Sequence, residues 1–435
     1  MVKRCLGLLA ASLFLLAQTP EAREARPPIK KGLPLQYTGK TEFTTDEGTW
    51  LSVDVSNDGK TLIFDLLGDL YTLPIEGGTA KRITSGPAFD SQPAFSPDSA
   101  QIAFISDRDG ADNLWIAKAD GSQPRQLTHD RNAELASPSW TPDGEYVLVS
   151  REAPQARTYE IWMYHIRGGS GVQVTKAQTT PAPPGPPAPG APVPVRLNFM
   201  GAVASRDGKY FYYARKNNGF QYNATFPMWQ VARRDRVTGE EDVITNANGS
   251  AVRPVLSPDG AQLVFGTRYK TETGLRIRDL KTGDERWLKN PVTRDDQESR
   301  FTRDLLPGYA FTPDGKSIVV SYGGKFHRVN VADGTDRPIP FTAQVSLDTD
   351  HAMHFQRRVE EGPLKARLIQ QPVLSPDGKR VAFSAMTHLY LMDIGGAPRR
   401  LTDGDSREFY PCWSPDGKSI AYVTWSDKAD EGGQI

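Results

Sequence analysis

The sequence predicts an all-β fold, a β-propeller built from four-stranded antiparallel blades. Three observations carry this prediction. First, a Ser/Thr-x-Asp-Gly turn recurs eight times, opening at Ser56, Ser96, Thr141, Ser205, Ser257, Thr312, Ser375 and Ser414, with Ser99 in place of the last glycine in the second copy. The spacings of 40, 45, 64, 52, 55, 63 and 39 residues point to a repeat architecture with a basic unit near 40. Second, each turn lies between two short apolar runs. Third, helical periodicity is nearly absent, while 34 Pro and 39 Gly suit a chain of many short strands.

Within a unit, each element has a local reason. The inner run precedes the turn, as in Val53-Asp54-Val55, Pro93-Ala94-Phe95 and Pro254-Val255-Leu256. In the turn, Pro presets φ, Asp bonds nearby amides and Gly supplies the positive φ that follows. Ser99 lacks that freedom and costs a little strain there. The second run follows, as in Leu62-Ile63-Phe64 and Leu263-Val264-Phe265, so the pair reads as a hairpin. A third run (Asn113–Ala117, Glu160–Tyr164) leads to a Gly-containing turn, and the unit closes on an aliphatic-Thr pair such as Leu127-Thr128 or Ile244-Thr245. Four strands make one blade, and blades must stack in a ring to bury both faces.

Counted along the chain, the units give seven complete blades and an eighth cut short, over residues 41–435. Residues 26–40 form a lead-in linker. Residues 179–194, half of them Pro, are a solvated insertion, either a ligand for a polyproline-binding partner or a tolerated loop. Residues 343–366 are expected to be a second loop insertion. The last blade stops where its third strand should start, which predicts that this chain is the N-terminal piece of a longer protein. Alone, it should then be poorly soluble or oligomeric.

Formal net charge is zero, so no basic stripe points to nucleic acid. Residues 1–25 read as a signal peptide: Lys3 and Arg4 precede an apolar stretch too short to span a bilayer, so no membrane span is expected after cleavage. Cleavage would leave Cys412 as the single cysteine, expected to be buried and inert. Export without disulfides predicts a bacterial periplasmic or secreted location.

The repeats resemble the PD40 (WD40-like) blades of TolB and of the tricorn-protease propellers. Several stretches are more specific: Thr44–Trp50 (TTDEGTW), Phe64–Pro74 (FDLLGDLYTLP), Asp90–Pro93, Ser106–Asn113, and Phe409–Ser414 with Val423–Trp425. Together they resemble the N-terminal propeller of exported proteins that carry a metal-dependent amidohydrolase domain after it. The resemblance implies a hydrolase partner domain with a divalent metal such as zinc, and an amide, peptide or cyclic-amide substrate. The chain departs from that family by ending before such a domain would begin. Two other readings stay open: a stand-alone periplasmic TolB-like module that binds protein partners, and the propeller of a tricorn- or dipeptidyl-peptidase-like serine peptidase.

No catalytic constellation is legible in residues 1–435. The six histidines form no His-x-His pair, and Gly-x-Ser-x-Gly and His-Glu-x-x-His are missing. His351 and His354 lie three apart, with no third metal ligand evident, so no cofactor or metal is assigned to this chain. Asp107-Arg108-Asp109-Gly110 lacks a calcium loop's ligand set and reads as a turn. The candidate binding residues are those entering the inner strands, where a propeller's channel opens: Asp90, Gln92, Glu134, Ser137, Arg253, Arg407 and Glu408. Polar groups converging there could bind a peptide terminus, an amide ligand or a cation, or could simply pair with one another.

Overall fold

The computed structural model describes residues 37–154, 156–177, 196–220, 228–299, 304–350, 362–428 and 432–435. The leader, the Pro-rich insertion and the His351/His354 pair lie outside them. Among the described residues there is no α-helix, and the strands form eight sheets. Seven contain a four-stranded antiparallel blade with its strands in chain order, and the eighth has three strands, Arg407–Trp413, Ile420–Trp425 and Gly433–Gln434.

The eight turns are built alike. In each, the Ser or Thr hydroxyl donates to the Asp carboxylate two residues on, at 2.5–2.6 Å. The same carboxylate oxygen accepts the amide two residues beyond the Asp, at 3.0–3.1 Å. The aliphatic-Thr signature also has a structural job. The hydroxyls of Thr84, Thr128, Thr175 and Thr245 each accept an amide of the third strand, from Leu70, Leu114, Ile161 and Val231, at 2.8–2.9 Å. The closing residue thereby pins the outer strand to its neighbour.

The ring closes at six blades, not at seven or eight. The sixth sheet (Ala310–Phe311, Ser317–Tyr322, Lys325–Asn330, Asp336–Ile339) packs on the first (Val53–Val55, Thr61–Leu66, Asp69–Pro74, Gly78–Arg82). Val53 donates its amide to the Gly308 carbonyl at 3.0 Å, and the Ser321 hydroxyl donates to the Leu51 carbonyl at 2.6 Å. Phe64 and Tyr71 of the first sheet share one buried cluster with Val319 and Phe326 of the sixth. A Pro–Gly turn contact recurs at three junctions of the ring. Pro97 lies 3.7 Å from where a Cβ on Gly144 would sit, Pro258 3.7 Å from that of Gly315, and Pro313 3.4 Å from that of Gly59, so the sixth-to-first junction repeats those between consecutive blades. Where the first and second sheets meet, both partners are changed. Asn57 replaces Pro, Ser99 replaces Gly, and the Asn57 amide donates to the Ser99 hydroxyl at 2.7 Å.

After the sixth sheet the chain returns to the first as a strap. Phe341–Thr349 is a strand, so residues 343–349 are not the loop that their polar composition suggested. The strap pairs in parallel with the outer strand of the first sheet (Phe341↔Gly78, Thr342↔Thr79, Ala343↔Ala80) and antiparallel with Gly39–Thr45, which ends the sheet. The lead-in thus becomes strand from Gly39 onward. Phe341, Ala343 and Val345 alternate inward into the cluster around Phe64 and Tyr71.

The seventh sheet (Gln370–Leu374, Arg380–Ala385, His388–Asp393, Arg399–Arg400) and the three-stranded eighth follow the strap, and their strands pack on each other.

Candidate functional site

The inner strands of the six ring blades surround a channel whose cavity measures about 270 Å³. Its wall mixes apolar side chains, among them Phe95, Trp140 and Val255, with the polar groups of Asp54, Ser137, Ser139 and Arg253. The wall's shape follows from a bulge repeated in the inner strands. In the second, third, fourth and fifth sheets the register slips at the residue four before the turn Ser or Thr. That residue is Gln92, Ser137, Gly201 or Arg253, with φ of 55°, 55°, 67° and 49°. The positive φ turns the strand, and at Gln92, Ser137 and Arg253 a Pro that needs no ladder partner follows.

These residues form a polar belt across one mouth. The Asp65 carboxylate accepts the amides of Ser52 and Gln92, both at 2.8 Å. The Gln92 side-chain oxygen accepts the Ser137 amide at 2.6 Å. The Ser137 hydroxyl donates to Asp304 at 2.8 Å, and Arg253 pairs with the same carboxylate. Ser52 accepts the Gly308 amide at 3.1 Å. Gly308 fits closely there, since a Cβ would lie 3.0 Å from the Arg253 guanidinium. Burial raises the Asp304 carboxyl above its ordinary range, with Arg253 opposing. Burial likewise lifts Asp65 to about 6, against its two amide donors.

Among the described residues that line the channel, the carboxylate is that of Asp54. Its oxygens accept the amides of Val55 at 2.8 Å and Phe95 at 2.7 Å, and burial pushes its pKa up to about 6.

Of the sequence-predicted residues, the structure therefore brings together Gln92, Ser137 and Arg253. Asp90 is buried in an ion pair with Arg108 at 2.7 Å, with the guanidinium over Phe104 and Trp115. Glu134 accepts the Tyr159 hydroxyl at 2.7 Å. Arg407 and Glu408 do not belong to this mouth, because their sheet follows the closed ring. Arg407 pairs with Asp427 at the surface, and buried Glu408 accepts the Leu389 amide at 2.9 Å and the Thr402 hydroxyl at 2.5 Å. Cys412 is exposed, not buried as its apolar strand context suggested.

Sequence reasoning missed Asp54, Asp65 and Asp304. The first two carried a signal, a lone carboxylate inside an apolar strand run. Asp304 carried none, since it comes from the long segment between the fifth and sixth sheets. Among the described residues, no three His, Cys, Asp or Glu side chains are grouped so as to hold a metal ion.

A second cavity of about 670 Å³ lies at the seam between the sixth and first sheets, lined by Phe43, Thr45, Trp50, Leu67, Tyr322 and Gly324 among others. The TTDEGTW stretch runs along it. Gly48 donates its amide to the Gly324 carbonyl at 3.0 Å, and Lys325 pairs with Asp46 at 2.9 Å, which holds the Asp46 carboxyl below its usual range. The motif thus laces the ring shut.

Residues 51–183 match the family profile of the tricorn protease N-terminal beta propeller domain. The Tol-Pal system protein TolB of Wolinella succinogenes is 34% identical over 121 residues, 26% of this chain and 28% of that protein. Tricorn protease homolog 1 of Streptomyces coelicolor is 24% identical over 266 residues, 57% of this chain and 24% of that protein. The solved structure of TolB from Acinetobacter baumannii aligns with a TM-score of 0.48 at 17% identity, covering 68% of this chain and 65% of that one. The chain spans about a quarter of the length of those two curated relatives. Residues 51–183 are thus similar to the tricorn-type N-terminal β-propeller, and part of the chain is similar in sequence to TolB.

Proposed function

We propose that this chain is a non-catalytic TolB-like propeller segment of an exported hydrolase, serving substrate gating, domain docking or protein interaction. One observation carries the reading. Among the described residues lining the channel, the carboxylate is that of Asp54, with both oxygens already engaged by backbone amides, and the mouth is crossed by mutually paired side chains. Such a lining can hold a ligand or a partner's loop. The TTDEGTW and FDLLGDLYTLP stretches support a metal-dependent amidohydrolase as the attached domain, acting on an amide, peptide or cyclic amide. The leader-like N-terminus and the TolB relationship support a periplasmic or secreted location.

The test is the intact mass and the amide-hydrolase activity, with zinc, of the native protein captured from its source. A species well above 48.0 kDa that hydrolyses amides, beside an inert recombinant 1–435, is the expected result. A native mass slightly below 48.0 kDa would instead favour a stand-alone TolB-like partner-binding module. The tricorn match favours a further reading, the propeller of a serine peptidase, which a downstream Gly-x-Ser-x-Gly would decide.

A further inference from the structure

In the fourth sheet, Arg233 of the third strand lies directly opposite Asp242 of the outer strand and pairs with it at 2.9 Å. In the fifth, Arg278 lies opposite Glu285 and pairs with it at 2.7 Å. The sixth sheet departs from this arrangement. There Arg328 lies directly opposite Arg337. Counted from the hairpin, these are the positions that Arg233 and Asp242 hold. The third strand ends by donating the Asp235 amide to the Glu240 carbonyl in one sheet, and the Asn330 amide to the Thr335 carbonyl in the other. Like charges directly opposite each other destabilise a strand pair, so an arginine where an acid would pair needs a reason.

The surroundings do not neutralise the two arginines. The ion-pair partner of Arg328 is Glu76, at 3.6 Å and with its side chain 85% exposed, and such a surface pair contributes little. Among the described residues, neither Arg337 nor Lys316 has an ion-pair partner. These three cations line a third cavity of about 420 Å³, between the sixth sheet and the Ile75-Glu76 turn of the first. Asp314 lines it too, but its Oδ1 is held by the Thr312 hydroxyl and the Lys316 amide, as in the other turns. Arg328 donates its Nε to the Ser317 hydroxyl at 3.3 Å, which sets the guanidinium against the cavity wall. Asn330 accepts the Ala332 amide on Oδ1 at 2.8 Å, which leaves its side-chain NH2 to donate. The cavity thus offers hydrogen-bond donors and positive charge in excess. It shares no lining residue with the channel or with the seam cavity.

We propose that this cavity binds the phosphate group of a small molecule, with Arg328 and Arg337 forking its oxygens and Lys316 supplying the third charge. Two guanidinium forks and an ammonium match a dianion with three terminal oxygens, whereas one fork satisfies a monocarboxylate. The bound dianion offsets the repulsion between the facing arginines. The volume is that of a small-molecule site. The site is independent of any attached hydrolase.

Titration calorimetry of the captured native protein and its variants in phosphate-free buffer, with inorganic phosphate, glycerol phosphate and acetate as probes, tests this. The expected result is one equivalent of phosphate bound with a dissociation constant at or below about 1 mM. Acetate should bind at least about tenfold more weakly. Tighter binding of glycerol phosphate than of inorganic phosphate assigns the site to a phosphate ester, and the reverse order assigns it to the free ion. Arg337→Asp recreates the arrangement of Arg233 and Asp242. It should therefore melt at or above the wild-type temperature, while phosphate binding weakens at least about tenfold. Lys281→Glu makes the same change of charge at an exposed turn of the fifth sheet and should leave phosphate binding unchanged. Five outcomes would each overturn the proposal: no saturable phosphate binding, equal affinity for acetate, unchanged binding in Arg337→Asp, a lower melting temperature in that variant, or an equal loss of binding in Lys281→Glu.

Discussion

At the residue scale, carboxylates do two opposite jobs in this molecule. Those of the repeated turns are held below their usual range by the neighbouring Ser or Thr hydroxyl, as at Asp143 and Asp259, so they favour the fold above the unfolded carboxylate pKa and lose that contribution as pH falls. Asp65 is the reverse. Its folded pKa of about 6 exceeds the unfolded value, so its contribution is complete below about pH 4 and is lost as pH rises through about 6. Asp65→Asn should remove one titrating proton from that window. The difference in unfolding free energy between wild type and variant should then change by up to about 1.4 kcal/mol per pH unit between pH 4 and 6 and be flat above pH 7, in urea titrations at a series of pH values. A pH-independent difference would mean that Asp65 does not change protonation there. The Asn57–Ser99 pair gives a second prediction. Asn57→Pro removes the amide that the Ser99 hydroxyl accepts, and Ser99→Gly removes the acceptor. Each single change should destabilise, while the double change restores the Pro–Gly contact seen at other junctions. The cycle should show a coupling of about 0.5–2 kcal/mol, and additivity would refute the junction argument.

At the element scale, the strap strand decides the architecture. Its landing site explains a glycine that the sequence presents only as a turn residue. A Cβ on Gly77, at φ 93°, would lie 2.3 Å from the Pro340 carbonyl oxygen, and the Gly78 amide donates to that same oxygen at 2.9 Å. Gly77→Ala should cost more than about 2 kcal/mol in thermal or urea unfolding. Gly86→Ala, at φ 109° with nothing within 4 Å, should show only the cost of its backbone conformation. Equal losses would show that the Pro340 contact is immaterial. The strap also marks the limit of sequence legibility. Blades were legible because turn, hairpin and closing Thr are local and repeated, so each copy reinforced the others. Residues 341–349 alternate apolar and polar as a strand does, but their partner strand lies more than 250 residues earlier and pairs in parallel, which no local pattern shows. The candidate site was legible in part for the same reason. Gln92, Ser137 and Arg253 share a fixed offset from the turn, whereas Asp304 arrives from an irregular segment. Arg407 and Glu408 follow the same repeat pattern, but in a sheet beyond the closed ring.

At the scale of the whole molecule, ring size is set by which faces meet, not by how many repeats the chain carries. Eight turns are present, yet the sixth blade already finds the first. Turn proline, the seam of TTDEGTW against Gly324 and Lys325, and the strap all act at that one junction. Among the described residues, the hydrogen bonds that close the ring fall between Thr38 and Asp350. Residues 37–350 should therefore fold alone as a closed six-bladed propeller with one cooperative transition. Residues 37–340, which keep every blade strand of the ring but lack the strap, should not match it. Removing Phe341, Ala343 and Val345 uncovers the first sheet's outer edge and the cluster around Phe64 and Tyr71, a loss on the scale of a buried Phe→Ala change, at least about 3 kcal/mol. Calorimetry on the two chains should show the shorter one melting at least about 4 °C lower, or not folding. Equal transitions would mean that the seam and turn contacts suffice to close the ring, and that the strap merely covers an edge that is already stable.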